Sequence, residues 1–180
     1  MSLGYSPTPN QVPDKSILDS YGRQTYLGQE FSGSTPVVGL ANTNETPLLY
    51  LLNPLTPGSS VAGAGQKALF CWIRKYNNAD AANLVTFKLY SNPTGVSGGT
   101  TVTPFNLRPA STTTSIATCK YSPTTATNGT YITASTIYYA YFQIESTILL
   151  ILDPGQSTLV TATANAGTPN VIVQFVWTEQ

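Results

Sequence analysis

The groups best suited to chemistry in this sequence are eight carboxylates: Asp14, Asp19, Glu30, Glu45, Asp80, Glu145, Asp153 and Glu179. A glycosidase sets two carboxyls facing each other across the scissile bond, and the two partners are free to lie far apart along the chain. Asp14, Asp19 and Glu30 fall in the first 34 residues and Glu179 in the last turn, while Asp80 and Asp153 occupy turn contexts that favour Asp. Glu45 and Glu145 remain as the candidate acid–base pair. Other catalytic arrangements lack their parts. With no His in the chain there is no Ser-His-Asp or Cys-His nucleophile system and no His-ligated zinc. Asn77-Asn78-Ala79-Asp80-Ala81-Ala82-Asn83 comes nearest to a calcium loop, but it lacks the central Gly and the later Glu and reads as a polar inter-strand loop. The Gly-rich stretch Gly58 to Gly65 has no following Lys and no helix to open, so it is not a phosphate loop. We therefore expect no enzyme, no cofactor and no bound metal.

The charge pattern narrows the partners. Only 9% of the 180 residues are charged, and eight Lys+Arg cancel eight Asp+Glu. Soluble domains average about 25% charged residues, so the surface here must be built mainly from uncharged polar groups. Thr (27) and Ser (16) supply about a quarter of the chain. Without a basic cluster there is little to meet phosphates, and direct nucleic-acid binding is not expected. A neutral surface also lacks the repulsion that keeps small proteins apart, which points to a chain packed against neighbours. The N-terminus Met1-Ser2-Leu3-Gly4-Tyr5-Ser6-Pro7 has no signal-peptide pattern. No apolar run approaches the roughly 20 residues that span a bilayer, so no membrane association is expected. Cys71 and Cys119 fit a reducing compartment as small strand-borne hydrophobes, and Asn44-Glu45-Thr46 and Asn128-Gly129-Thr130 read as turns rather than glycosylation sites.

These residues need elements to position them. Residues 1 to 34 carry Gly, Pro, Ser and Gln with isolated apolar side chains and no period, which predicts an extended arm that orders against a partner. Its candidate anchors are Tyr5, Ile17, Leu18, Tyr21, Tyr26 and Phe31. From Thr35 onward the pattern is β. Val85, Phe87 and Leu89 alternate with Thr86, Lys88 and Tyr90, and Val171, Val173, Phe175 and Trp177 alternate with Ile172, Gln174, Val176 and Thr178. Leu48 to Leu52 and Ala68 to Ile73 are short continuous apolar runs, predicted as strands covered on both faces. Further strands are expected at Val37 to Leu40, Thr100 to Phe105, Ile116 to Tyr121, Tyr131 to Thr133, Ile137 to Glu145, Ile148 to Leu152 and Leu159 to Ala164. Turn pairs such as Asn77-Asn78, Asn92-Pro93, Gly98-Gly99, Ser122-Pro123, Asn128-Gly129 and Pro154-Gly155 separate them. The expected fold is all-β, a jelly-roll-like antiparallel β-sandwich over residues 35 to 180 behind the arm of residues 1 to 34.

Aromatic residues are the last unusual feature. Tyr138-Tyr139-Ala140-Tyr141-Phe142 places rings on both faces of one strand, so Tyr138, Tyr139, Tyr141 and Phe142 are the candidate subunit interface. Core packing accounts for other rings, and stacking on sugars is the competing use. Three segments carry a family likeness: Glu45-Thr46-Pro47-Leu48-Leu49-Tyr50-Leu51-Leu52-Asn53-Pro54, Asn92-Pro93-Thr94 leading to Gly98-Gly99-Thr100, and Leu152-Asp153-Pro154-Gly155-Gln156-Ser157-Thr158-Leu159-Val160. Over residues 45 to 177 the chain resembles small virion structural proteins of tailed bacteriophages, those that cement or decorate the capsid or form head-fibre and tail-associated trimers. The resemblance implies a homotrimer, assembled in the host cytoplasm and carried on the virion, that reinforces the shell by binding the major capsid protein without catalysis. On this view a chain lacking residues 1 to 34 folds and assembles but no longer binds capsids. A carbohydrate-binding host-recognition module, using Trp72 or Tyr141 on a glycan, is the alternative, and a single jelly-roll coat protein is the second. The coat reading is weakened by the poor basic arm, Lys15 with Arg23.

Overall fold

The computed structural model describes residues 27–41, 44–55, 67–78, 84–137 and 145–180. Within them the chain forms β1 (Glu30–Ser34), β2 (Val38–Gly39), β3 (Thr46–Leu52), β4 (Leu69–Asn78), β5 (Val85–Ser91), β6 (Thr100–Val102), β7 (Phe105–Asn106), β8 (Thr118–Tyr121), β9 (Thr130–Ile137), β10 (Glu145–Leu152), β11 (Ser157–Ala164) and β12 (Asn170–Glu179). No helix occurs among the described residues. One antiparallel sheet runs β10-β4-β12-β1-β7, with β2 also on β12, and the other runs β6-β8-β3-β11-β5-β9. The eight strands left after setting aside β2, β6, β7 and β8 follow the orders β1-β12-β4-β10 and β3-β11-β5-β9, the nested Greek keys of a jelly roll. The expected all-β sandwich is the observed fold.

Period-2 patterning creates the core directly. Val85, Phe87 and Leu89 of β5 and Val171, Val173, Phe175 and Trp177 of β12 are all buried between the sheets, while Thr86, Lys88 and Tyr90 face out. Leu49, Leu51, Val160 and Ala162 join them from β3 and β11. Cys71 and Cys119 enter the same core from opposite sheets as free thiols.

Four expectations are corrected by the structure. Glu30–Ser34 is not part of an arm: β1 pairs with β12 over five residues, and Phe31 stacks on Trp177 with ring centroids 6.2 Å apart. Phe31 is thus a core residue, 1% exposed, and not a capsid-facing anchor. The reason is compositional: Glu-Phe-Ser-Gly-Ser holds one large apolar side chain, too few for a visible period, yet that one ring fills the core. Thr100 to Phe105 divides at Pro104 into β6 and β7, which belong to different sheets. The run at Leu69 to Ile73 is covered fully on one face and partly on the other: Leu69, Cys71 and Ile73 are buried, while the outward Phe70 and Trp72 are partly buried beside Thr178 and Val176. Asn77-Asn78 is the end of β4, laddered with Val171 and Asn170, rather than a turn or the start of a calcium loop. The remainder of that candidate loop, residues 79–83, lies outside the described residues, as does Gly58 to Gly65.

The stretch from Asn92 to Gly129 positions the site. It leaves β5, contributes β6, β7 and β8 to the side of the sandwich flanked by β1 and β3, and returns to β9 beside β5. Both sheets are thereby extended on that side by very short strands.

Because β1 completes the core, a chain beginning at Leu27 should unfold cooperatively, whereas one beginning at Thr35 should not. Phe31→Ala should cost about 3–5 kcal/mol in denaturant unfolding. A chain beginning at Thr35 that unfolds with the midpoint of the intact protein would refute this placement of β1.

Candidate functional site

The most elaborate local structure is a pair of loops on the outer face of the second sheet. Pro93-Thr94 with Gly99-Thr100, and Pro123-Thr124 with Gly129-Thr130, repeat the same residues at an offset of 30 (123 − 93), with Asn92 and Ser122 preceding them. Each copy leaves its strand the same way. Among the described residues Asn92 and Ser122 are the two non-glycine residues with positive φ, 49° and 48°, and each donates its N–H to the next strand, to Ser157 and Leu48 carbonyls respectively. A buried Pro follows each. The copies then pair with one another about a local two-fold axis: Thr94 bridges Thr127, and Ser97 bridges Thr124. Hydroxyl contacts reinforce both bridges, at 2.8 Å for Thr94–Thr127 and 2.9 Å for Ser97–Thr124.

These loops cross above a row of register partners, Lys120–Tyr50–Leu159–Tyr90–Tyr131, that spans five strands. Leu159 points away from the core, since Val160 beside it points in, yet it is fully buried, and Tyr50 is nearly so. A leucine on an outer sheet face loses its water only when another layer covers it, and the crossing loops are placed to be that layer. Tyr90 and Tyr131 meet edge to face at 5.9 Å.

Glu45 fastens this layer to the sheet. Its Oε2 accepts from Lys88 Nζ at 2.7 Å, and its Oε1 accepts from Tyr90 OH (2.7 Å), Thr161 Oγ1 (2.6 Å) and Asn128 Nδ2 (3.2 Å). Asn128 belongs to the second loop and is held there by Thr125, whose hydroxyl donates to Asn128 Oδ1. Partial burial pushes the Glu45 carboxyl up, but the hydrogen bonds from Lys88, Thr161 and Tyr90 and the Lys88 charge outweigh it, so its pKa lies below the ordinary 4.5. Burial and the bond to Glu45 push the Tyr90 hydroxyl up. A carboxylate holding four donors, three on Oε1 and one on Oε2, acts as a fastener.

The candidate acid–base pair, Glu45 and Glu145, is not brought together. Glu45 turns to the outer face of one sheet, and Glu145 begins β10 in the other, with the sandwich, typically about 10 Å thick, between the sheets. Glu179 is also structural: its Oε1 accepts from Ser115 Oγ, the Ile116 N–H and Trp177 Nε1, tying the 111–117 segment to the last strand. Asp153 lies in the β10–β11 turn, as the sequence implied. Burial pushes both thiols up, Cys119 to about 12, and Cys119 adds to the effect on Cys71. Neither is a nucleophile at neutral pH.

Of the interface and anchor candidates, Tyr138, Tyr139, Tyr141 and Phe142, and Tyr5, Ile17, Leu18, Tyr21 and Tyr26, lie outside the described residues. Trp72 is on the outer face of the first sheet, opposite Val176 of β12. The Glu45 network was not anticipated, because its donors lie 43 to 116 residues away in sequence. The loop pair was legible in principle, from the repeated Pro-Thr and Gly-Thr spacing. Comparison with family models, with curated proteins and with solved structures found no match to this chain.

Two predictions follow from the geometry. A Cβ at Gly129 would strike the Ser91 carbonyl oxygen, and φ there is +93°. Gly129→Ala should therefore destabilise by about 2–4 kcal/mol. At Gly98 φ is also positive, but the nearest atom to an added Cβ is 3.6 Å away, so Gly98→Ala should cost only about 1–2 kcal/mol. Equal losses by urea titration would contradict the close-approach account. Glu45 has a folded pKa below its unfolded value, so its stabilisation is complete above about 4.5 and is lost as pH falls through the folded pKa. Thermal midpoints should thus decline less steeply below pH 4.5 in Glu45→Gln than in the native protein, and parallel profiles would dismiss the fastener role.

Proposed function

We propose that the protein is a non-enzymatic structural component of a virion, a cement or decoration protein that self-associates through its jelly-roll body and binds the major capsid protein through the residues preceding β1. The carrying observation is how the described side chains are used. Glu45 and Glu179 are committed to internal hydrogen bonds, while Phe105, Ile151, Tyr131 and Val37 are each more than half exposed. A polar surface with few charges and protruding large apolar groups favours association over turnover. The fold adds support by analogy alone, since jelly rolls serve viral capsids and lectins alike.

The capsid contact is assigned to residues 1 to 26, with Tyr5, Ile17, Leu18, Tyr21 and Tyr26 as anchors. Each subunit would add such a segment across joints between capsomers, so that opening the shell breaks these contacts too. A specific contact of this kind buries on the order of 1,200–2,000 Å². Assembly would take place in the host cytoplasm, with the virion as the final location.

Phe70 and Trp72, side by side on the outer face of β4, favour one second reading, a glycan-binding module of a fibre. Sugar rings stack on exposed aromatic faces of this type.

Binding to emptied capsid shells separates these functions. The full chain should bind, and a chain beginning at Leu27 should stay folded and lose at least about tenfold in affinity, or 1.4 kcal/mol. Equal binding by the shortened chain would remove the role of residues 1 to 26. Saturable glycan binding abolished by Trp72→Ala, with no affinity for shells, would replace the capsid function by the fibre one.

A further inference from the structure

The outer face of the first sheet holds buried residues where solvent is expected. Phe31 and Trp177 stack in the core, so Glu30 and Ser32 of β1, and Val176 and Thr178 of β12, point outward. Yet Glu30, Val176 and Thr178 are 1% exposed and Ser32 is 7% exposed. The margins of the same face are open: Phe105, opposite Ser32, is 59% exposed, and Ile151, opposite Phe70, is 54% exposed. The covered area is therefore a strip over β1 and β12, two strands or roughly 10 Å wide, which matches a single chain lying along them.

The described connections are placed elsewhere. The crossing loops pair above the second sheet, and the 111–117 segment is held at the end of the core, where Ser115 meets Glu179 and Trp177 Nε1. β2 pairs beside the far end of β12, at Asn170 and Val171, and the turns before and after β11 join the two sheets at their ends. Thr178 adds a second observation: its hydroxyl oxygen is buried and has no hydrogen-bond partner among the described residues. A hydroxyl both donates and accepts, and a backbone lying over it supplies either partner.

We propose that this strip is the seat of residues 1 to 26 of the same chain, with Ile17, Leu18, Tyr21 and Tyr26 excluding water from Val176 and its neighbours. Position favours that segment. It joins the body at Leu27, three residues before Glu30 (30 − 27), and a turn at Leu27–Gly28 reverses the chain there. Gly28 has φ +69°, and a Cβ on it would strike the Ser111 side chain, so the turn requires glycine. A chain reversed just ahead of β1 is directed back along β1 and β12. Length suffices, since 26 residues reach up to roughly 85 Å against about 33 Å for the ten residues of β12. The other segments outside the described residues fit less well. Residues 42–43 are too few. Residues 79–83 follow Asn78, paired with Asn170 eight residues from Thr178 (178 − 170), or roughly 27 Å. Residues 138–144 are tied at Glu145, whose partner Lys75 pairs with Val173, five residues from Thr178 (178 − 173), or roughly 17 Å. Residues 56–66 lead into β4 at the near end but offer only Val61 beyond Pro57 and two alanines. The seat is that of the free chain and does not rest on the capsid function proposed above.

The test uses the full-length protein with labelled methyl groups. The Val176 methyls should give nuclear Overhauser contacts to Ile17, Leu18, Tyr21 or Tyr26, and mixing labelled with unlabelled chains should show these to be intrachain. Contacts to Val61 in their place, contacts between different chains only, or none beyond the neighbouring strands would each overturn the proposal. A full-length variant carrying Ile17→Ser, Leu18→Ser and Tyr21→Ser should lose the contacts, and acrylamide quenching of its Trp72 fluorescence should rise at least about twofold. Trp177 is fully buried in the core and stays silent in that measurement. Quenching equal to that of the native protein in the folded variant would also overturn the proposal. The contacts in the unsubstituted chain decide the matter even if the variant fails to fold. Binding to emptied shells decides the capsid function separately, so the failure of one leaves the other standing.

Discussion

A sandwich of two sheets has two open sides, and how each is closed governs the rest of this structure. Strand edges present rows of backbone donors and acceptors that pair with whatever arrives. Here the segment between β5 and β9, neighbours in the sheet, is routed across the molecule to finish the side next to β1 and β3. That route obliges the chain to cross the outer face of the second sheet twice. The crossings turn out of the ladder at Asn92 and Ser122, pass close over backbone at Gly99 and Gly129, and pair with each other through threonine and serine hydroxyls. Leu159, apolar on that outer face, is fully buried.

The same constraint explains the fate of the polar groups. Glu45, Lys88, Tyr90, Thr161 and Asn128 converge where sheet and loop meet, and their hydrogen bonds satisfy one another in a place that water only partly reaches. Isolated surface ion pairs contribute roughly 0–1 kcal/mol, so the value of this group lies in its being a network that joins two layers. Glu179 does the same at the opposite end of the fold, between Trp177 and the Ser115 turn. A chain with few charges has placed two of its carboxylates in such joints. What remains outside is largely hydroxyl, amide and apolar surface, which is suited to lying against other protein.

Much of the fold was legible because burial in a sandwich is one-sided. β5 and β12 are read directly from alternation, and Pro154-Gly155 marks the turn between β10 and β11. Legibility failed where a strand carries little apolar content or where two faces look alike. β1 has a single ring, Phe31, among small residues, so its local pattern is that of a linker. Leu48–Leu52 and Leu69–Ile73 are equally apolar, yet the outward Leu48 and Tyr50 of the first are buried while the outward Phe70 and Trp72 of the second are only partly so. No local property of either run distinguishes them.

By itself, the amino-acid sequence determined the class of this protein: a β-sandwich of zero net charge, few charged residues and no histidine. Those properties are additive over residues, being composition and a period of two, and need no knowledge of what meets what. The tertiary structure alone decided that Phe31 belongs to the core, that Glu45 is a fastener, and that two loops thirty residues apart clasp each other. Each of these depends on partners distant in the chain, and cross-strand pairing, unlike helix formation, is set by contacts whose separation the sequence does not record.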